Sequence, residues 1–308
     1  MSHQLPRSPG HEIVVPGSTS NLGPGFDALG LALDITLRLR LVSAGDGPPG
    51  QLRWRFRDAP APGPAENAIE RGFWAVVPVG ERQDVPALVV DVESDIPMRA
   101  GLGSSAAAAV AGMRLYDAVV GPVGRQRLLD ESARLEGHPD NSSASVLGGF
   151  VSSCVGRDGR VFAVSRPWPR DLRLVVATPE ATLATSVARR ALPREVPLTD
   201  AVANVQRAAL LVQAIAAGDR RALREAFRDR LHQPYRFALV PGLERALAFE
   251  HPSLYGVFLS GAGPSIAAVV DDDGAAVQGM FEELYAELGR PGTIRTIDVR
   301  QPFEAPGA

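Results

Sequence analysis

The sequence predicts an α+β fold divided into two domains, and three observations carry that expectation. Strand-like and helix-like runs are mixed along 308 residues without strict alternation, which argues against a doubly wound parallel sheet. The length exceeds one ordinary domain. A proline-rich joint, S-R-P-W-P-R at positions 165–170, separates stretches of different pattern, so domains at 11–165 and 166–308 are expected.

Glu12 to Pro16 reads as a short strand, and G-S-T-S-N-L-G-P-G-F-D from Gly17 to Asp27 as a loop. Alternating apolar residues from Leu29 to Val42 suggest a strand pair or one long strand. Positions 43–64 combine a Gly/Pro-rich turn, a W-R-F-R strand and a Pro/Ala/Gly-rich loop, an exposed excursion by composition. Glu66 to Val77 has helical spacing, Ala87 to Val92 reads as a strand, and Ser104 to Val119 as a helix. Leu128 to Glu136 forms another helix, stopped by G-H-P.

Beyond Gly149 come strands at Phe150 to Val155, Val161 to Val164 and Leu172 to Ala177. Two helices follow, Thr199 to Ala217 with Thr199 or Asp200 as N-cap and Gly218 as stop, then Asp219 to His232 before Pro234. The strand Y-G-V-F-L-S, the loop G-A-G-P-S and the strand I-A-A-V-V lead to a helix at Ala275 to Leu288 and a strand at Thr293 to Val299.

Composition narrows the chemistry. All 32 residues in the Lys+Arg count are arginine, so no mechanism that needs a lysine, whether a Walker A loop, a protein-kinase strand lysine or a Schiff base, is open. A formal charge of -3 without a basic block gives no sign of nucleic acid or an anionic membrane as partner. One cysteine, Cys154, cannot form an internal disulfide; it fits a reducing cytoplasm and reads as a small buried hydrophobe. The start M-S-H-Q-L-P-R-S-P-G lacks an apolar run and no segment approaches eighteen apolar residues, so secretion and membrane insertion are not expected.

The most informative stretch is P-M-R-A-G-L-G-S-S-A-A-A-A, Pro97 to Ala109. Two glycines and two serines directly ahead of an alanine-rich helix allow close backbone approach to an anion and present uncompensated N–H groups and the positive end of the helix dipole. The segment also satisfies G-x-G-x-x-[G/A], but eight residues including a proline separate it from the preceding strand, which suits a dinucleotide fold poorly. Asn21 and Asp27 flank a glycine-rich turn, and E-G-H-P-D-N from Glu136 to Asn141 crowds two carboxylates, an imidazole and an amide at a helix end, a pattern that favours ligand or metal contact over plain capping. S-G-A-G-P-S, Ser260 to Ser265, lies between two apolar strands.

Taken in order, P-G-S-T-S-N-L-G-P-G-F-D, P-M-R-A-G-L-G-S-S-A-A, E-G-H-P-D-N with L-G-G-F, and S-G-A-G-P-S resemble the motifs of the GHMP small-molecule kinases. Within them the homoserine kinase branch is most similar, through G-H-P-D-N and through T-S-V-A-R-R-A-L-P (Thr185 to Pro193) and D-R-L-H-Q-P-Y-R (Asp229 to Arg236). The resemblance spans roughly Ile13 to Val270. It implies an ATP-binding N-terminal domain like the second domain of ribosomal protein S5, a ferredoxin-like C-terminal domain, and an active site between them that phosphorylates the hydroxyl of L-homoserine with ATP and Mg2+, in threonine biosynthesis. A homodimer remains compatible with it.

The same resemblance suggests the site. ATP would contact Pro97, Gly101, Leu102, Gly103, Ser104, Ser105, Ala106, Gly261 and Gly263, with Asn67 near the nucleoside. Mg2+ would be held by Ser104 or Ser105 and a helical carboxylate: Glu136 is chosen, with Glu131 and Asp130 as alternatives. Homoserine would be lined by Asn21, Asp27, His138, Asn141, Arg189 and Arg236, and all but His138 are also expected to serve catalysis. The chemistry agrees, because an ammonium calls for an anion such as Asp27 and a carboxylate for arginine forks. Asp140 reads first as a supporting residue rather than a base. Two departures stand out: Arg99 precedes the glycines, and S-S-A-S follows G-H-P-D-N where V-A-P-A is usual. Another small alcohol as acceptor and a catalytically silent sensor are the competing readings; the intact serines, Glu136 and glycines count against the second.

Overall fold

A computed structural model describes residues 9–57, 61–63, 66–271 and 273–303. Part of the excursion expected over 43–64, namely 58–60 and 64, lies outside the described residues.

The first sheet is built from β1 (Glu12–Asn21), β2 (Gly25–Ala44), β3 (Leu52–Phe56), β4 (Leu88–Ser94), β5 (Phe150–Val155) and β6 (Val161–Arg166). Its order is β3-β4-β2-β5-β6, with β1 paired antiparallel to β2 and β3 parallel to β4. The alternation from Leu29 onward belongs to one long strand, and Leu31, Leu33, Leu37, Leu39 and Leu41 are buried beneath the helices. Those helices are α1 (Ala68–Ala75), α2 (Ser104–Val119), α3 (Arg125–Glu136) and α4 (Asp140–Leu147). The small residues of α2 have a packing reason: a Cβ on Gly112 would stand 1.9 Å from the Ile69 carbonyl, and one on Gly72 2.0 Å from that of Ala109. Only glycine permits so close a crossing of α1 and α2.

The second sheet contains β7 (Arg173–Pro179), β8 (Leu254–Leu259), β9 (Ile266–Val270) and β10 (Gly292–Ile297) in the order β10-β7-β9-β8, with every neighbouring pair antiparallel. That is the ferredoxin-like arrangement the sequence led one to expect. β9 reads as a continuous apolar run because all five residues are buried. Helices α5 (Thr185–Arg190), α6 (Leu198–Ala217), α7 (Arg220–Ala226), α8 (Leu243–Leu247) and α9 (Ala275–Glu287) complete this half. The chain then returns to the first sheet: Val299 bridges Leu33, Gly149 N–H donates to the Arg300 carbonyl and Phe303 N–H to that of Leu147, both at 2.8 Å.

Several expectations need correction. β1 runs through Asn21, so most of the loop placed at 17–27 is strand; Ser18, Thr19 and Ser20 look like loop residues but are buried and hydrogen-bonded. The helix placed at 219–232 stops at Ala226, because Asp229 accepts the N–H groups of Leu231, His232 and Gln233 and turns the chain away. α6 begins after Pro197, with no side-chain cap from Thr199 or Asp200, and stops at a left-handed Gly218 as expected. Helices α4, α5 and α8 were not anticipated. Cys154 is exposed, on a part of β5 whose partner residue, Phe162 of β6, is also exposed.

Candidate active site

The glycine-serine loop leads into α2 with Gly103 in a left-handed conformation at the N-cap and no side chain capping the first turn. Its N–H groups are therefore free of a competing side-chain acceptor, as an anion site requires. The loop is braced from behind: Ser18 N–H donates to the Leu102 carbonyl at 3.1 Å, Ser260 Oγ to Gly101 at 2.6 Å, and Ser265 N–H to Ala100 at 3.2 Å. A Cβ on Gly101 would lie 2.2 Å from the Ser260 carbonyl and one on Gly103 2.1 Å from Ser18 Oγ. Beside this loop, Ser105 Oγ donates to Glu136 Oε1 at 2.7 Å. Asp130 is engaged elsewhere by Gln126 and the Val161 N–H, and Glu131 by Arg134.

The other end of the cleft carries charge from both halves of the chain. Arg189 donates to both oxygens of Asp27, Nη1 at 3.0 Å and Nη2 at 2.8 Å. This fork raises the Arg189 pKa against the opposing effect of burial. Asp27 sits at a left-handed φ of 56°, and its N–H donates to Asn21 Oδ1 at 3.0 Å while Asn21 Nδ2 donates to the Gly261 carbonyl at 2.8 Å. Arg236 is 1% exposed; Nη1 donates to the Gly261 carbonyl at 3.1 Å and to His232 Nδ1 at 3.0 Å. Burial, helped by the Arg189 charge, pulls its pKa down to about 10, so it stays cationic at neutral pH. The guanidinium carbons of Arg189 and Arg236 each lie 5.6 Å from the centre of the Phe26 ring.

Between the two ends, His138 Nδ1 and Asp140 Oδ1 are 2.5 Å apart. Burial opposes charge on both, yet their mutual hydrogen bond and charge raise the His138 pKa and lower that of Asp140. Asp140 Oδ1 also accepts the Asn141 N–H at 2.7 Å. Asn141 is tied to β1, its Nδ2 donating to Ser20 Oγ at 2.8 Å and its Oδ1 accepting from Ser18 at 2.9 Å.

One cleft of about 380 Å³ is lined by Asn21, Asp27, Gly101 to Ser105, Glu136, His138, Asn141, Arg189, Arg236 and Gly261, all singled out in the sequence. Asn67, Pro97, Ala106 and Gly263 do not line it. Asn67 caps α1 by accepting the Glu70 N–H, Ala106 is buried in α2, Pro97 borders a neighbouring groove with Thr178 and Thr182, and Gly263 packs against Leu259 and Val240. Arg99 and Asp140 do line the cleft. Sequence reasoning missed Phe26, Ser20 and Thr185, which join its wall, and His232, which stands behind Arg236. Phe26 and His232 lie inside motifs that were noticed, but only their three-dimensional neighbours separate them from ordinary core residues.

Comparison with known proteins adds the lineage. Residues 69–149 match the GHMP kinases N terminal domain and residues 211–287 the GHMP kinases C terminal domain. A homoserine kinase of Solibacter usitatus is 41% identical over 273 residues, 88% of each chain. One from Thermus thermophilus is 42% identical over 260 residues, 83% of this chain and 86% of its own. In three dimensions the crystal structure of homoserine kinase from Cytophaga hutchinsonii superposes with a TM-score of 0.80 at 24% identity, covering 98% of both chains. With identity above 40% across most of the chain and both halves of the fold matched, this chain belongs to the homoserine kinase family of the GHMP kinases.

Proposed function

We propose that this protein transfers the γ-phosphoryl group of ATP to the side-chain hydroxyl of L-homoserine, forming O-phospho-L-homoserine and ADP, a step of threonine biosynthesis. The observation that carries this reading is the Asp27, Arg189 and Arg236 cluster facing an uncapped helix start across one cleft. A zwitterionic acceptor supplies an ammonium for Asp27 and a carboxylate for the arginines, so it can enter beside the existing ion pair and give each charge a second partner. Neutral alcohols leave that pair unused.

The first turn of α2 and the N–H groups around Gly101 to Ser105 receive the phosphates. Ser105 Oγ and the Glu136 carboxylate are adjacent hard oxygen donors, the ligand type Mg2+ takes. They, with Ser104 on the same turn, would hold the ion, which would neutralise charge on the β- and γ-phosphates. The homoserine oxygen attacks the γ-phosphorus as the bond to the bridging β-oxygen breaks; ADP leaves with that electron pair, and the hydroxyl proton passes to an oxygen of the transferred phosphoryl group and from there to solvent. Positioning and charge stabilisation supply most of the catalysis in such transfers. Asp140 is a weak base here, since its Oδ1 already accepts from His138 and from the Asn141 backbone; it orients His138 at the acceptor end. Asn21 and Asn141 hold the strand and loop that carry the charged residues.

The test is incubation with ATP, Mg2+ and L-homoserine, with the product identified by phosphorus NMR. A phosphomonoester on the homoserine oxygen supports the proposal; ATP hydrolysis to free phosphate without that ester rejects it.

A further inference from the structure

We propose that His232 is a positioning residue for acceptor recognition, fixing the direction of the Arg236 guanidinium and tying it to the turn that carries Asp27. The inference rests on the proposed role of Arg236 as a partner of the acceptor carboxylate. His232 is 0% exposed and touches both sides of the cleft at once. Its Nδ1 lies 3.0 Å from Arg236 Nη1, which can only donate, so Nδ1 accepts and carries no proton. The remaining ring proton therefore sits on Nε2, 2.8 Å from the Gly23 carbonyl it donates to. Two hydrogen bonds thus select one neutral tautomer, and burial, which lowers the His232 pKa despite the nearby Asp229 and Asp27 charges, favours the same state.

The ring also stacks on Phe26, with centroids 5.2 Å apart and planes 24° from parallel. Phe26 directly precedes Asp27 and carries both guanidiniums near its face. His232 consequently joins residues more than two hundred positions apart: the turn of Gly23 and Phe26 on one side and Arg236 on the other. The arginine gains a fixed orientation through Nη1, to His232 and Gly261, and through Nε, to the Ala188 carbonyl at 3.4 Å. None of the described hydrogen bonds uses Nη2, and Arg236 lines the cleft, so Nη2 is the nitrogen left for a ligand. An arginine fork loses its advantage over a point charge once its plane is free to turn.

The experiment is a double-mutant cycle between His232 and Arg236, read on the homoserine KM with the ATP KM as control. His232→Phe keeps the stacked ring and removes both hydrogen bonds. It should raise the homoserine KM about tenfold or more, the effect of losing one hydrogen bond to a charged group, and leave the ATP KM within about twofold. Arg236→Lys should raise the homoserine KM in wild type and add little in the His232→Phe background. The carboxylate-free acceptor 3-aminopropan-1-ol should be indifferent to His232→Phe. Additive effects, or equal changes in both KM values, would overturn the role of His232. If His232→Phe does not fold, His232→Leu, which also lacks both hydrogen bonds, is measured in the same cycle and judged by the same outcomes. Arg236→Lys without effect in wild type would remove the carboxylate reading itself, whereas an effective Arg236→Lys beside a silent His232→Phe would remove His232 alone.

Discussion

Asp27 and Arg189 form a two-pronged ion pair with about a third of each side chain exposed, 34% and 38%. That partial exposure keeps the pair accessible and limits its worth to the fold. In the proposed function its larger value is to hold two opposite charges where a zwitterionic acceptor can reach both. Asp27→Asn removes the ammonium partner and leaves Arg189 without a counter-ion, so kcat/KM for homoserine should fall by roughly ten- to a hundredfold, on the order of 1–3 kcal/mol, with ATP affinity little changed. Equal losses for acceptor and nucleotide in steady-state kinetics would contradict that role. Arg189→Lys should raise the homoserine KM, because the lysine keeps charge and loses the fork.

The second residue-scale pair, His138 and Asp140, titrates in the opposite sense at its two ends. The folded His138 pKa is raised above its ordinary 6.5, so its contribution to stability is complete below that value and is lost as pH rises through the folded pKa. The folded Asp140 pKa is lowered below 3.8, so its contribution is complete above that value and is lost in stronger acid. Both are present together between those two ordinary values. Urea unfolding at about pH 6 and about pH 8.5 should show wild type losing, on the alkaline side, a stabilisation that His138→Gln lacks at both. A gap between the two proteins that widens towards alkaline pH would contradict the pairing.

At the scale of elements, the turn into α2 is where local sequence and tertiary constraint agree. Helix α2 was legible to the residue because its glycine-serine start and alanine run match what the fold demands. Gly101 and Gly103 have φ of 79° and 70° and no room for a side chain. Gly101→Ala should lower the Tm and raise the ATP KM together, since its Cβ would press on the carbonyl of Ser260, whose hydroxyl braces the loop. A normal ATP KM would separate the loop from nucleotide binding. Glu136→Gln should raise the Mg2+ concentration needed for half-maximal rate with little change in the homoserine KM; an unchanged Mg2+ dependence would move the metal elsewhere. Two of the elements that escaped notice, α4 and the end of β1, share a physical cause. Helix α4 begins D-N-S-S-A-S, weak helix formers with no apolar stripe, and it exists because Gly30 lets β2 lie against the Asp140 carbonyl and its residues are buried nearly all round. The end of β1 hides in the same way, its polar residues satisfied by partners more than a hundred positions away.

Across the whole molecule, the cleft depends on two sheets held in register. The strands change from one sheet to the other between Arg166 and Arg173, and we propose that the domain division lies in this joint. The return of 298–303 to the first sheet could not be seen in composition, because it is made by backbone groups that any sequence carries. Truncation after Ile297 should lower the Tm and weaken acceptor and nucleotide use alike, since it loosens the frame and removes no charged residue of the cleft; an unaltered Tm would show that this return is dispensable. What composition did reveal at this scale was exclusion: without lysine, any phosphate site must rely on backbone, metal or arginine.

In the proposed function, charges from both halves of the chain select a zwitterionic amino alcohol. The most direct test of that selection is kcat/KM for ATP-dependent phosphorylation measured side by side with L-homoserine, L-serine, L-threonine, mevalonate and galactose. Homoserine should exceed mevalonate and galactose by about a hundredfold or more, the discrimination expected when charged groups would otherwise be left unpaired. Comparable or better turnover of mevalonate or galactose would contradict it.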